Sequence, residues 1–151
     1  PRLKNKGSAW LIPALVALIF TSMTGAITAL GDTLFPTSVF TEQGLVAHLA
    51  EQVSASTHFL VQLRIVHPIV AVLTSVYLLI ALPQLAGFDG HRRLVNGLVI
   101  AQVALGFVNI LLAAPAWMQL VHLLSALTVW LSVFLLWVRT QSQATERQTA
   151  H

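Results

Sequence analysis

Two histidines and an arginine stand inside long apolar runs of the sequence, where ionisable side chains are unusual. Arg64 and His67 lie three residues apart in one run, and His122 lies in another. If these runs cross a membrane, an ionisable group costs about 2.5–3.5 kcal/mol at a helix centre, so each needs a partner or a function. Imidazole is a common metal ligand, and two imidazoles can hold a haem iron between them. The pattern predicts His67 and His122 as ligands of a haem iron.

A simpler interpretation of each histidine stays open. A polar side chain in a membrane helix can hydrogen-bond a neighbouring helix without any cofactor. Haem is favoured because the two histidines lie at a compatible depth on different runs and because Arg64 shares the helical face of His67. Arginine suits a carboxylate such as a haem propionate, so Arg64 is the third predicted cofactor-binding residue.

Four apolar runs would carry these residues, each long enough to cross about 30 Å of hydrocarbon as a helix. They cover residues 10–30, 58–82, 94–113 and 117–138. The chain of 151 residues is 56% hydrophobic and 9% charged, whereas soluble domains carry about 25% charged residues. We predict an all-α bundle of four transmembrane helices that forms one membrane domain over residues 1–151.

The basic residues set the predicted orientation. Seven of the eight lie before the first run, between the second and third, or after the fourth: Arg2, Lys4, Lys6, Arg92, Arg93, Arg139 and Arg147. These places share one side of a four-span bundle, and such an excess of positive charge marks the cytoplasmic side. We expect both termini in the cytoplasm, a multi-pass location in a cell membrane such as the bacterial inner membrane, lipid as the surroundings and no nucleic-acid partner.

On the opposite side the chain has a tight turn at residues 114–116 and a long segment at residues 31–57. Apolar residues recur every four positions within that segment, at Leu45, Leu49 and Val53. This spacing predicts a short amphipathic helix that lies on the outer surface of the membrane.

Small and polar residues mark one face of the first run and one face of the third. The small residues of the first run are Ser22, Gly25 and Ala29. The face of the third run carries Gln102, Gly106 and Asn109. Small residues allow close approach of helices, so we expect the first stripe to pack inside its own bundle or against a neighbouring one.

Three segments resemble the haem A synthase (CtaA/Cox15) family. Residues 61–71 (VQLRIVHPIVA) look like its haem-ligand helix, residues 102–106 (QVALG) are similar to its Gln-Val-x-Leu-Gly motif, and residues 115–126 contain its His-x-x-x-Ala pattern at His122. Members usually have eight spans in two similar halves, each with a histidine pair. One half holds b-type haem, and the other oxidises haem O to haem A. This chain resembles one half, which implies axial ligation of b-type haem, haem O or haem A by His67 and His122.

The chain departs from the family pattern at three places. Arg64 stands where the catalytic half carries a glutamate, Pro68 replaces the arginine of the usual His-Arg pair, and the cysteine pair of the outer loop is missing. No catalytic residue is assigned.

The leading hypothesis is a half-length haem A synthase relative that serves cytochrome oxidase assembly and either oxidises haem O, as a haem A synthase-like oxidoreductase, or only holds haem. The alternatives are a non-catalytic b-type haem subunit of an electron-transfer complex and a cofactor-free structural subunit. We expect a homo-oligomer or a subunit of a larger membrane complex.

Overall fold

The computed structural model describes residues 9–34, 63–85 and 88–149. These residues form four α-helices: α1 (Leu11–Leu34), α2 (Val66–Ala81), α3 (Asp89–Leu111) and α4 (Ala116–Thr149). Short 3-10 turns at Leu63–Ile65 and Leu82–Gln84 extend α2 at both ends.

All four predicted spans correspond to helices that are long and apolar enough to cross a membrane. The all-helical architecture is therefore confirmed for the described residues. The amphipathic helix predicted around Leu45–Val53 lies outside the described residues, and the orientation of the bundle stays a prediction.

Three of the helices extend beyond their predicted apolar runs, and α4 continues past Val138 to Thr149. α1 continues past Leu30 to Leu34, and Asp32 in this extension forms an ion pair with Arg64. α3 begins at Asp89, where the carboxylate pairs with Arg92 at 2.7 Å. An acidic residue in the first helical turn also interacts favourably with the partial positive charge of that helix end.

The helices pack as a ring in which each contacts two neighbours: α1 with α2, α2 with α3, α3 with α4, and α4 with α1. α2 and α4, which carry His67 and His122, therefore lie diagonally opposite each other. α1 and α3 occupy the other diagonal.

The tightly packed core lies in one half of the bundle. It contains the start of α1, the end of α2, the start of α3 and part of α4: Leu11, Ala14, Leu78, Leu82, Leu85, Val95, Val99, Val129, Val133 and Leu136. We call this half the core end, and we call the opposite half, which carries Leu34 and Leu63, the site end. Both histidines lie in the site end.

The outer surface of the bundle is apolar. Leu73, Ile80 and Leu124 expose 65%, 64% and 64% of their surfaces, and many other large apolar residues are exposed on all four helices. An apolar surface of this extent is unfavourable in water and suits lipid, while the helical backbone satisfies its own hydrogen bonds. The chain is therefore a multi-pass membrane protein.

A tight turn of residues 112–115 joins α3 to α4 at the site end, two residues before the start of the turn predicted at residues 114–116, and Ala116 already belongs to α4. Ala113 and Ala114 adopt left-handed backbone conformations with φ of 58° and 51°. The amide of Ala114 donates to the Asn109 carbonyl at 2.8 Å, which satisfies one of the free carbonyls of the helix end. The turn makes α3 and α4 antiparallel and brings Gln102 level with His122.

Candidate cofactor site

His67 and His122 meet inside the site end of the bundle. His67 lies in the first turn of α2 and His122 in the second turn of α4. Their ring centroids are 6.5 Å apart, and the ring planes are nearly perpendicular at 88°. Both side chains are half-buried. The structure therefore brings together the two histidines that the sequence singled out.

A glycine lies against each imidazole ring. A Cβ atom added to Gly25 on α1 would lie 3.0 Å from Cε1 of His67, and one added to Gly106 on α3 would lie 3.1 Å from Cε1 of His122. Both distances are shorter than ordinary van der Waals contacts of 3.4–4 Å. Gly25 therefore packs inside its own bundle, whereas Ser22 of the same stripe is exposed, so contact of the stripe with a neighbouring bundle stays a prediction. The two glycines leave the space that the rings occupy.

The polar contacts of His67 come from α1. The Oγ1 atom of Thr24 lies 3.2 Å from Nδ1 of His67, and it also donates its proton to the Thr21 carbonyl at 2.8 Å. One turn away, the Thr21 and Thr74 hydroxyls lie 2.8 Å apart and join α1 to α2. These contacts fix the register of the two helices, so they hold the imidazole at a defined depth.

The polar contacts of His122 come from α3. Nε2 of Gln102 donates to the His122 carbonyl at 3.1 Å, and it lies 3.3 Å and 3.2 Å from the two ring nitrogens. Two buried oxygens on the same face of α3, Oε1 of Gln102 and Oδ1 of Asn109, have no hydrogen-bond partner within the described residues. A buried acceptor without a donor costs about 1–3 kcal/mol. The site end therefore has acceptor capacity that the described protein groups do not use.

Arg64 lies one turn from His67 but contacts α1. Its Nε atom lies 2.8 Å from Oδ1 of Asp32, with side-chain exposures of 6% and 15%, and its Nη2 donates to the Gly31 carbonyl at 2.8 Å. The arginine thus neutralises a carboxylate and satisfies a carbonyl at the end of α1. The predicted propionate contact remains a prediction, and the structure adds this protein partner to it.

Pro68 and His91 bear on how the site is built. Pro68 lies in the first turn of α2, where an amide has no intrahelical acceptor, so its missing donor interrupts no helical hydrogen bond there.

His91, at the core end, lies 2.9 Å from the Ser132 carbonyl and 3.2 Å from Nη1 of Arg139. Its ring therefore joins α3 to α4 and is not part of the His67–His122 pair.

Thr24 and Asp32 are the site residues that the sequence did not reveal. Threonines are common in membrane helices, and Thr24 acquires a role only through the register of α1 against α2. Asp32 follows the first apolar run, so the sequence predicts it within the segment at residues 31–57. Arg64 is the signal that points to it, since a buried arginine needs a carboxylate.

An apolar groove of about 490 Å³ lies between α2 and α3 on the side of the bundle that faces lipid. Its walls are the middle turns of the two helices, among them Val72, Val76, Val103 and Phe107. A groove of this lining suits an apolar chain rather than a polar ligand.

Comparison with known proteins gives a family match and two curated relatives. Residues 1–134 match the family COX15-CtaA, described as cytochrome oxidase assembly protein. A protoheme IX farnesyltransferase from one strain of Thermus thermophilus is 41% identical over 138 residues, and its counterpart from a second strain is 40% identical over the same length. The alignments cover 86% of this chain but 22% of each relative, so the chain spans about a fifth of their length. No solved structure matches the chain.

The family match covers most of the chain, including all of α2 and the part of α4 that carries His122. It agrees with the resemblance found in the ligand-helix, Gln-Val-x-Leu-Gly and His-x-x-x-Ala segments. The chain therefore belongs to the COX15-CtaA family of cytochrome oxidase assembly proteins.

Proposed function

We propose that this chain is a haem-binding membrane module of the apparatus that prepares haem for cytochrome oxidase, with His67 and His122 as the axial ligands. The observation that carries the proposal is the pair of imidazoles 6.5 Å apart on diagonally opposite helices. A metal–imidazole bond is about 2 Å and a ring nitrogen lies about 1 Å from its ring centroid, so an iron between two rings separates their centroids by roughly 6 Å. The observed spacing fits this value.

The surroundings of the pair also fit a planar cofactor. Gly25 and Gly106 keep side-chain atoms away from the rings, and the tightly packed core is confined to the opposite end of the bundle. The side-chain oxygen of Gln102, which has no hydrogen-bond partner within the described residues, offers an acceptor beside His122. Rotation of that amide would present the oxygen to the proton of a metal-bound imidazole, which is the contact that metal-ligating histidines usually make.

A bis-imidazole haem supplies one-electron transfer when bound. In this chain the protein groups would hold the ligands and exclude water. Thr24 and Gln102 would orient the two rings, and the Asp32–Arg64 pair would fix α1 to α2 at the mouth of the site.

The same geometry favours holding haem over oxidising it. The residue three positions before His67, a glutamate in the catalytic half of the family, is Arg64, and it is engaged by Asp32. A guanidinium in an ion pair cannot accept a proton, so this position cannot act as a general base. Oxidation of the haem O methyl group is therefore the second candidate, and it would need groups from another copy or partner.

The relatives and the groove support a connection with haem that carries a farnesyl chain. The two Thermus thermophilus proteins are named for farnesylation of protohaem, and a segment similar to this chain forms part of each. A farnesyl substituent is a long apolar chain, and the groove beside Val72 and Phe107 is apolar and opens to lipid. The module would then receive or pass on haem beside a haem-modifying enzyme, as a homo-oligomer or as a subunit of a larger membrane complex.

The test is to purify the chain from membranes in mild detergent, record its absorption spectrum and extract the pigment. We expect a low-spin haem spectrum with about one haem per chain. Chromatography of the extract separates protohaem from farnesylated haem, and incubation with haem O and a reductant tests conversion to haem A. Protein that binds no haem under any of these conditions would refute the proposal and leave a structural membrane subunit. Native mass spectrometry of the same sample tests whether it contains more than one subunit.

A further inference from the structure

We propose that Thr24 is a positioning residue that sets which nitrogen of His67 carries the proton, so that Nε2 is the nitrogen available to a metal. The inference rests on the proposed function only for the metal. The assignment of the proton itself follows from the hydrogen bonds of the protein.

The Thr24 hydroxyl has a single proton to donate. Oγ1 lies 2.8 Å from the Thr21 carbonyl oxygen, which can only accept, so the hydroxyl proton lies between these two atoms. The same Oγ1 lies 3.2 Å from Nδ1 of His67. Because its proton is already used, Thr24 can only accept in this second contact. His67 must therefore donate from Nδ1.

The direction of this contact decides which nitrogen is left for a metal. A neutral imidazole that donates from Nδ1 has its lone pair on Nε2, the nitrogen on the opposite side of the ring.

His122 lacks this arrangement. Its polar neighbour is Nε2 of Gln102, a donor that lies almost equally far from both ring nitrogens, at 3.3 Å and 3.2 Å. A donor placed this way does not select one tautomer. The two imidazoles are therefore held unequally, and His67 is the ligand whose metal-binding nitrogen is set by the protein before any cofactor binds.

The first measurement uses the unmodified chain in detergent without added haem. Nitrogen NMR of ¹⁵N-labelled histidine distinguishes the two neutral tautomers, and the His67 signals are those that disappear in His67→Ala. We expect His67 with the proton on Nδ1 and Nε2 unprotonated. A proton on Nε2 would overturn the inference, and this result needs no variant of Thr24 to fold.

The second measurement compares haem retention among variants of matched shape. Thr24→Val removes the acceptor and keeps the side-chain volume, and Thr24→Ser keeps the hydroxyl. Thr128→Val is the control, because Thr128 donates to the Leu124 carbonyl at 2.9 Å in the same way but contacts no histidine in the described structure. Loss of such a supporting contact typically costs about 10–100-fold in metal affinity. We expect faster transfer of haem to a scavenging apoprotein and a shifted midpoint potential for Thr24→Val only.

The outcomes separate this inference from the proposed function. If Thr24→Val retains haem and keeps its midpoint potential as Thr128→Val does, the positioning role is wrong although haem binding stands. If the unmodified chain takes up no haem, the proposed function fails, and the NMR result alone decides the assignment of the proton. Recovery of retention in Thr24→Ser would support the hydroxyl as the active group.

Discussion

Replacement of Gly25 by alanine tests whether the site depends on the position of the His67 ring. The new Cβ atom would lie 3.0 Å from Cε1, while ordinary contacts lie at 3.4–4 Å. The ring must therefore move by about 0.4 Å or more to relieve the overlap. Functional groups of a site must be held within about 0.5 Å of their productive positions, so alanine lies at the limit of tolerance and valine beyond it.

The stability change of Gly25→Ala combines two opposing effects. Alanine in a helix interior is more favourable than glycine by about 0.5–1 kcal/mol, whereas overpacking costs about 1–3 kcal/mol. We expect a net change in the free energy of unfolding between zero and about 2 kcal/mol of destabilisation. The larger effect should fall on the cofactor: Gly25→Ala should have a lower haem content or lose part of its low-spin spectrum. Gly25→Val should lose both the bound haem and the low-spin spectrum.

Gly97→Ala is the matched control for this experiment. It lies inside α3, and a Cβ atom there would meet nothing within 4 Å. This variant should show only the gain in helix stability, with unchanged haem content. The assay is haem per protein after purification, with electron paramagnetic resonance of the ferric form to report the axial ligands. If Gly25→Ala matches Gly97→Ala in haem content and spectrum, the ring is not constrained at this place and the argument from the glycine contact is refuted.

Two further predictions concern the ligands and the ion pair. His67→Ala and His122→Ala should each lose haem or convert it to a high-spin form. His91→Ala should keep the low-spin spectrum, because His91 lies at the core end against α4. Low-spin spectra in both His67→Ala and His122→Ala would contradict the ligand assignment. Arg64→Ala should destabilise the chain by about 1–3 kcal/mol in detergent unfolding, because it leaves a half-buried carboxylate without its partner, and it should also weaken haem retention. The double variant with Asp32→Ala should recover part of that stability, and equal losses in the single and double variants would show that the pair is not coupled.

The sequence predicts the spans and the histidine pair because each depends on information local to one helix. An apolar run of sufficient length predicts a span, and the depth of His67 or His122 follows from its position within the run. Contacts between helices depend instead on register, which one sequence does not give. Thr24 contacts His67 only because α1 and α2 are aligned by the Thr21–Thr74 contact and the charged pair at their ends. For the same reason the sequence does not reveal that Asp32 belongs to α1 and contacts Arg64.

The arrangement of the site explains why it needs the whole bundle. The first helical hairpin, α1 and α2, supplies Gly25 on its first helix and His67 on its second. The second hairpin, α3 and α4, repeats this order with Gly106 and His122. Each hairpin thus holds one imidazole against its own glycine, but the two rings approach each other only when the hairpins dock.

A ligand held by both hairpins binds the docked state and not the separated one, so it stabilises docking by its own binding free energy. The tight apolar core at the core end would maintain the docked bundle before haem arrives, because its residues come from all four helices. The site end can then remain less tightly packed than the core end, and the two diagonally opposed histidines lie in that half of the bundle.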